Sequence, residues 1–254
     1  MSPGARRRWP ERLWLVRHGE SAGNIARDAA DAGGLELIDI AERDVDVPLS
    51  ELGHTQSQAL GRWFAALPAG SRPNVVFTSP YLRARETAEY IRRAGGVDTR
   101  DQPTIDERLR EKEFGILDRL TRRGIEQRFP DQAAARARVG KFYHRPPGGE
   151  AWTDVILRLR TFADTISLHY SEPGCRVLVV AHQVIVLCMR YLIEEMDEAT
   201  ILGIDAEGDV ANCGVTEYTL RGDHLVLAKY NFTAPLERQG APVTTEPDAP
   251  AAAR

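Results

Sequence analysis

The chain has 254 residues, 43% of them hydrophobic, and a formal net charge of −4. That length can bury one substantial core and, at about 100–200 residues per domain, allows one or two domains. The negative balance excludes general binding to nucleic acid or to a membrane surface, which attract a basic field, and no stretch approaches the roughly 18 apolar residues of a membrane span.

Residues 1–11 carry Arg6, Arg7 and Arg8 and read as a flexible N-terminal segment. The apolar run that follows, Leu13-Trp14-Leu15-Val16, is too short for the core of a secretory signal and reads as a strand. It ends at Arg17-His18-Gly19-Glu20-Ser21-Ala22. An acidic, glycine-containing insertion of about residues 25–48 comes next. Loops this long are usually functional or disordered, and a lid or a homodimer contact is expected of it.

Ser50 is an N-cap for a helix over 50–67, whose Leu52, Leu60, Trp63, Phe64 and Leu67 recur at helical spacing. A strand over 74–77 leads through Thr78-Ser79-Pro80 into a helix over 83–93, which Gly95-Gly96 ends. This β-α-β-α order predicts a parallel sheet with covering helices. Residues 109–143 read as a loop and two helices punctuated by Pro130, rich in Arg122, Arg123, Arg128, Arg136, Arg138 and Lys141 and followed by His144. Such a run is either a solvated face or a cap that adds positive potential.

After Pro146-Pro147-Gly148-Gly149, an amphipathic helix runs from Trp152 to about Leu168. The valine-rich run 177–181 reads as a buried strand and delivers His182. A helix over 185–195 and a hairpin of strands 215–220 and 225–230, joined through Gly222-Asp223, complete an α/β fold with a mostly parallel sheet and one antiparallel strand or hairpin. Residues 234–254, rich in proline and without apolar periodicity, are expected to be a disordered tail, which leaves 12–233 as the domain. Cys175, Cys188 and Cys213 are odd in number and lack C-x-x-C spacing. They fit a reducing compartment, and the chain reads as cytoplasmic.

Three strand ends thus present His18 with Arg17, His182, and Arg83. Two histidines could bind a metal, but a cation site would not recruit two arginines, whose donor forks match phosphate or carboxylate. The pocket is built for an anion, and no metal is expected. If the anion is a phosphoryl group, neutral His18 can attack phosphorus. Arg17, Arg83 and His182 would then hold the oxygens as charge accumulates, each well-placed donor being worth roughly 3 kcal/mol. A leaving alkoxide needs a proton donor. Glu111 is the candidate and Glu113 its rival, and composition does not choose between them.

Residues 15–21 with Asn24, the stretch 78–88, Leu109-Arg110-Glu111 with Phe114-Gly115, and Val179-Val180-Ala181-His182 together resemble the histidine phosphatase (phosphoglycerate mutase-like) superfamily over residues 12–232. The resemblance implies a three-layer α/β/α fold and His18 as the phosphorylated nucleophile. It also implies Arg17, Asn24, Arg83 and His182 as the phosphate pocket, and Glu111, in preference to Glu113, as proton donor. Residues 181–186 and 141–150 look most like the bisphosphatase half of the bifunctional enzyme that makes and removes fructose 2,6-bisphosphate. Gln183 replaces a glycine common after the second histidine and is taken as a phosphate contact, and His144 is placed to touch a second phosphate.

The function implied is metal-independent hydrolysis of a small phosphorylated metabolite, such as a sugar phosphate or bisphosphate, without a cofactor. A cofactor-dependent phosphoglycerate mutase, primed by 2,3-bisphosphoglycerate, is the first alternative. It is disfavoured because the long insertion of such mutases after the Pro-rich turn is absent. A non-catalytic phosphate-binding scaffold is the second.

Overall fold

A computed structural model describes residues 7–245. Strand β1 (Arg12–Arg17) lies inside a six-stranded sheet. It pairs in parallel with β4 (Arg176–Ala181) and antiparallel with β5 (Val215–Arg221). Beyond β4 lie β2 (Val75–Thr78) and the short β3 (Thr104–Ile105), both parallel; beyond β5 lies antiparallel β6 (His224–Phe232). The order is β3-β2-β4-β1-β5-β6, the mostly parallel sheet with an antiparallel hairpin that the sequence predicts.

Successive strand residues face opposite sides of a sheet, and both sides are covered. Leu13, Leu15, Phe77, Val177 and Val179 pack in one core cluster with α6 (Trp152–His169) and α7 (Gln183–Ile193). Trp14, Val16, Val76, Leu178 and Val180 pack in the other with α2 (Glu51–Ala65) and α3 (Leu82–Arg93). Double coverage is why the central strands read as unbroken apolar runs. The layers are helix, sheet and helix. Pro130 separates α4 (Arg122–Arg128) from α5 (Pro130–Val139), since a proline suits a helix start.

Helices α1 (Ala22–Ala32) and α8 (Glu198–Glu207) are not foreseen by periodicity. Each buries a single residue, Ala30 and Ile201 respectively, so neither carries an apolar stripe. Both expected flexible ends need correction. Arg7 Nε pairs with Asp164 at 2.7 Å, the Arg8 amide donates to Ser167 Oγ, and Trp9 packs on the core, so residues 7–11 are anchored. Downstream, α9 (Ala234–Glu237) docks with Leu236 fully buried and Ala241 nearly so. Pro235, Leu236 and Ala241 are the buried apolar residues of this segment, too few to show as periodicity. The remainder of the expected disordered ends, 1–6 and 246–254, lies outside the described residues. Among those described, no helix is long and apolar enough to cross a membrane.

Docking of residues 234–245 has a measurable cost when removed. Leu236→Ala is expected to lower unfolding free energy by about 2–4 kcal/mol in urea denaturation; an unchanged midpoint would show that the segment contributes nothing to the core.

Candidate active site

The carboxyl ends of β1, β4 and β2 lie side by side, and a helix begins near each. Asn24 sits in the first turn of α1, His182 is the N-cap of α7, and Arg83 is in the first turn of α3. Helix N-termini concentrate outward-facing N–H groups and positive potential, which suits an anion. A capping box fixes α1: Ser21 Oγ accepts from the Asn24 amide, and Asn24 Oδ1 accepts from the Ser21 amide at 2.9 Å. With its oxygen committed there, Asn24 has its NH2 group to offer an anion.

His18 is 2% exposed. Its Nδ1 lies 2.7 Å from the Gly19 carbonyl, which can only accept, so Nδ1 carries the proton. Nε2 faces Arg83 Nε at 3.3 Å, and the arginine can only donate, so Nε2 keeps its lone pair. Burial, reinforced by Arg83 and Arg17, holds the imidazole well below the ordinary histidine value of 6.5. The group is therefore a neutral base with its nucleophilic nitrogen fixed.

The loop around it is tightly held. The His18 amide donates to the Ala181 carbonyl, and the Cys213 amide and Asn212 Nδ2 both donate to the His18 carbonyl. The Gly19 amide donates to Thr87 Oγ1, the Glu20 amide donates to Gln56 Oε1, and the Ser50 amide donates to the Glu20 carbonyl. A Cβ on Gly19 would lie 2.7 Å from the Gly53 carbonyl, and one on Gly53 would lie 1.9 Å from the Glu20 carbonyl. The loop thus rests directly on the backbone of α2.

The imidazole of His182 stacks edge-on at 5.2 Å from that of His18. Its Nε2 is 2.8 Å from Ser79 Oγ and its Nδ1 is 3.5 Å from Glu111 Oε2. Burial and the positive charge of Arg83 hold it too below the ordinary value. Arg17 is fully buried, with Nη1 donating to the Val210 carbonyl at 2.6 Å and to Gln183 Oε1 at 3.3 Å. Glu111 is buried and lines the cleft with His18, Asn24 and Arg83. Glu113 is exposed and lies outside it, accepting from the Tyr81 hydroxyl, so the fold brings Glu111 and not Glu113 to the site.

Two expected contacts are corrected. Gln183 spends its amide on protein: Oε1 accepts from Arg17 and from the Val210 amide, and Nε2 donates to Asp209 at 2.6 Å. It braces Arg17 and does not face a phosphate. His144 is buried away from the cleft with Nε2 at 3.3 Å from Gln132 Oε1. It does not line the cleft and so offers no second phosphate contact there.

The insertion supplies the opposite wall through Ile38, Ile40, Asp44 and Val47, in a cleft of ≈ 650 Å³ that is open to solvent. It is laced to the stretch before α4. Arg119 donates to the Ile40 carbonyl, the Ile38 amide donates to the Arg119 carbonyl, and Thr121 Oγ1 donates to the Leu35 carbonyl. At its far end Arg83 Nη1 donates to the Asp44 carbonyl at 2.7 Å and to Asp44 Oδ1 at 2.9 Å. A carboxylate therefore occupies the guanidinium that faces the nucleophile.

Asp44, Gln56 and Asn212 are not singled out by sequence reasoning. Gln56 leaves a signal, a polar residue on the buried face of α2 beside Gly53, Leu60 and Phe64. Asp44 leaves none. Among the described residues no group of three or more His, Cys, Asp or Glu side chains is placed to hold a metal ion.

Comparison with known proteins gives consistent results. The sequence model of the histidine phosphatase superfamily (branch 1) matches residues 13–233. A 2,3-bisphosphoglycerate-dependent phosphoglycerate mutase 2 of Gloeobacter violaceus is 33% identical over 67% of this chain and 69% of its own. A 6-phosphofructo-2-kinase/fructose-2,6-bisphosphatase of Caenorhabditis elegans is 32% identical over 71% of this chain and 33% of its own. Among solved structures, a mycobacterial glucosyl-3-phosphoglycerate phosphatase in complex with VO3 superposes with a TM-score of 0.66 at 25% identity, covering 87% of this chain and 99% of that one.

Because Asp44 is half-exposed and competes for Arg83, neutralising it should favour an incoming anion. In Asp44→Asn the inhibition constant of inorganic phosphate is expected to fall about two- to fivefold, the range of a partly exposed ion pair. An unchanged or higher constant would remove the competition.

Proposed function

The chain belongs to the histidine phosphatase superfamily (branch 1), and from that premise we propose that it is a phosphomonoesterase working through a phosphohistidine on His18. The observation that carries this reading is the fixed tautomer of His18, with Nδ1–H on the Gly19 carbonyl and the Nε2 lone pair beside Arg83. A nucleophile oriented by a second hydrogen bond is the logic of activated nucleophilic catalysis.

In the first half-reaction Nε2 attacks phosphorus and the P–O bond to the leaving group breaks. Glu111 gives its proton to the departing alkoxide. In the second, Glu111 takes a proton from water as the hydroxyl bonds to phosphorus, and the P–N bond breaks to return neutral His18 and release phosphate. Arg83, Arg17, His182, the Asn24 amide and the helix N-termini serve as preorganised donors to the phosphoryl oxygens. Positive charge at those oxygens thus comes from side chains and backbone, and no metal enters the steps.

The substrate is a small phosphorylated metabolite. Relatives named for fructose 2,6-bisphosphate and glucosyl-3-phosphoglycerate support the sugar-phosphate class. Mutase chemistry is the second reading, supported by the Gloeobacter relative. The start of α6 at Trp152, directly after the Pro-rich turn, favours hydrolysis.

Wild-type protein and His18→Ala, incubated in EDTA with p-nitrophenyl phosphate, sugar phosphates and phosphoglycerates, test this directly. Phosphate release is expected to survive EDTA and to fall by at least about 10³-fold in the variant. Interconversion of 3- and 2-phosphoglycerate after priming, without phosphate release, would replace hydrolysis by mutase chemistry, and silence in both assays would leave a phosphate-binding scaffold. The pH profile makes a separate check. Since His18 is held below 6.5, its reactive neutral form persists as pH falls through that value, and the acid limb of kcat/KM is expected below it. A limb above pH 6.5 would contradict a depressed nucleophile.

A further inference from the structure

The segment after α9 runs back under the site, on the side away from the cleft, and reaches the nucleophile through two side-chain amides. Gln56 and Asn212 are both fully buried. Gln56 Oε1 accepts from the Glu20 amide at 2.8 Å, while its Nε2 donates to the Pro242 carbonyl at 3.0 Å and to Thr244 Oγ1 at 2.9 Å. Asn212 Nδ2 donates to the His18 carbonyl at 3.1 Å, its Oδ1 accepts from Thr244 Oγ1 at 3.0 Å, and its amide donates to the Thr244 carbonyl. One hydroxyl therefore accepts from one amide and donates to the other.

The peptide that Gln56 holds is a particular one. Its N–H is the Glu20 amide, bonded to Gln56, and its C=O is the Gly19 carbonyl, bonded to His18 Nδ1. Rotating that peptide moves the acceptor that keeps the proton on Nδ1. Asn212 holds the neighbouring peptide by the His18 carbonyl, together with the Cys213 amide. Cys213 takes a left-handed φ of 56° there, a conformation that costs about 1–2 kcal/mol in a residue with a side chain.

We propose that Thr244 is a positioning residue for the nucleophile: its hydroxyl fixes the orientation of the Gln56 and Asn212 amides, and through them the backbone that sets the tautomer and aim of His18. The proposal rests on His18 being the nucleophile. It adds a dependence of the chemistry on residues 241–244, which do not line the cleft. Without the hydroxyl, Asn212 Oδ1 and one Gln56 N–H, on two fully buried side chains, lose the partner that half-buried Thr244 supplies, and an unmade hydrogen bond there is costly. The relaxation open to them is rotation of the amides that hold the loop.

Thr244→Val removes the hydroxyl at nearly constant shape, and Thr244→Ser keeps it. In Thr244→Val, kcat for p-nitrophenyl phosphate is expected to fall about ten- to a hundredfold, as for a slightly misplaced reacting group, with KM within about twofold. Thr244→Ser restores kcat. The 15N shifts of the His18 ring report the tautomer independently of turnover: loss of the single Nδ1–H form in the valine variant, and its retention in serine, is the expected signature. Equal kcat and equal ring shifts in wild type and Thr244→Val would overturn the proposal. If wild type has no phosphatase activity, the function of His18 fails while the ring shifts still decide whether Thr244 sets its tautomer.

Discussion

The structure turns on one requirement: residues 18–20 are buried, so each of their backbone N–H and C=O groups needs a partner. Those partners come from separate parts of the chain: Ala181 at the end of β4, Thr87 on α3, Ser50 and Gln56 at α2, Asn212 and Cys213 before β5, and the His18 ring itself. Satisfying one short loop thus obliges the end of β4, the segment before β5 and the α2–α3 face of the sheet to assemble around it. The close approach of Gly19 to Gly53 is part of the same requirement, because any side chain at either position would lift the loop off α2.

A loop held so completely can carry chemistry that would otherwise be unfavourable. Two imidazoles and two arginines are buried together, and burial together with the arginine charges keeps both rings neutral. A site with this much positive potential favours an anion, and the fold provides a partial one in Asp44. An incoming phosphoryl group has to compete with a half-exposed carboxylate carried on the insertion, while the apolar Ile38, Ile40 and Val47 of the same segment shape the wall next to it. The insertion thus brings both a carboxylate and apolar side chains to the wall of the cleft.

Strand ends are legible in the sequence for a physical reason. β1, β2 and β4 are covered on both sides, so their apolar runs stop where the polar site begins; His18 and His182 follow those stops directly, and Arg83 follows in the first turn of the next helix. Glu111 is legible only as one of two acids, because the turn that buries it and exposes Glu113 depends on packing against α6 and the Pro-rich loop. Arg158 Nη2 donating to the Glu111 carbonyl is one such contact. The basic middle segment reads as either a solvated face or a cap, and it divides. Arg122 pairs with Glu126 and Arg128 with Glu36 at the surface, whereas burial near Arg136 pushes Lys112 down to about 8 as it lies over the Phe114 ring. Asp44 begins a three-residue 3-10 turn and Asn212 and Thr244 lie in irregular segments, and no local pattern separates a polar residue that reaches across the fold from one that faces water.

The central claim is that phosphoryl transfer passes through a covalent bond to His18. Rapid mixing of enzyme with 32P-labelled substrate, alkaline quenching within the first turnover and peptide mapping would test it most directly. Label that is acid-labile, alkali-stable and confined to the peptide containing His18 is the expected result. Phosphate released with a burst-free time course and no label on any histidine would contradict the covalent route and point to direct attack by water in the same cleft.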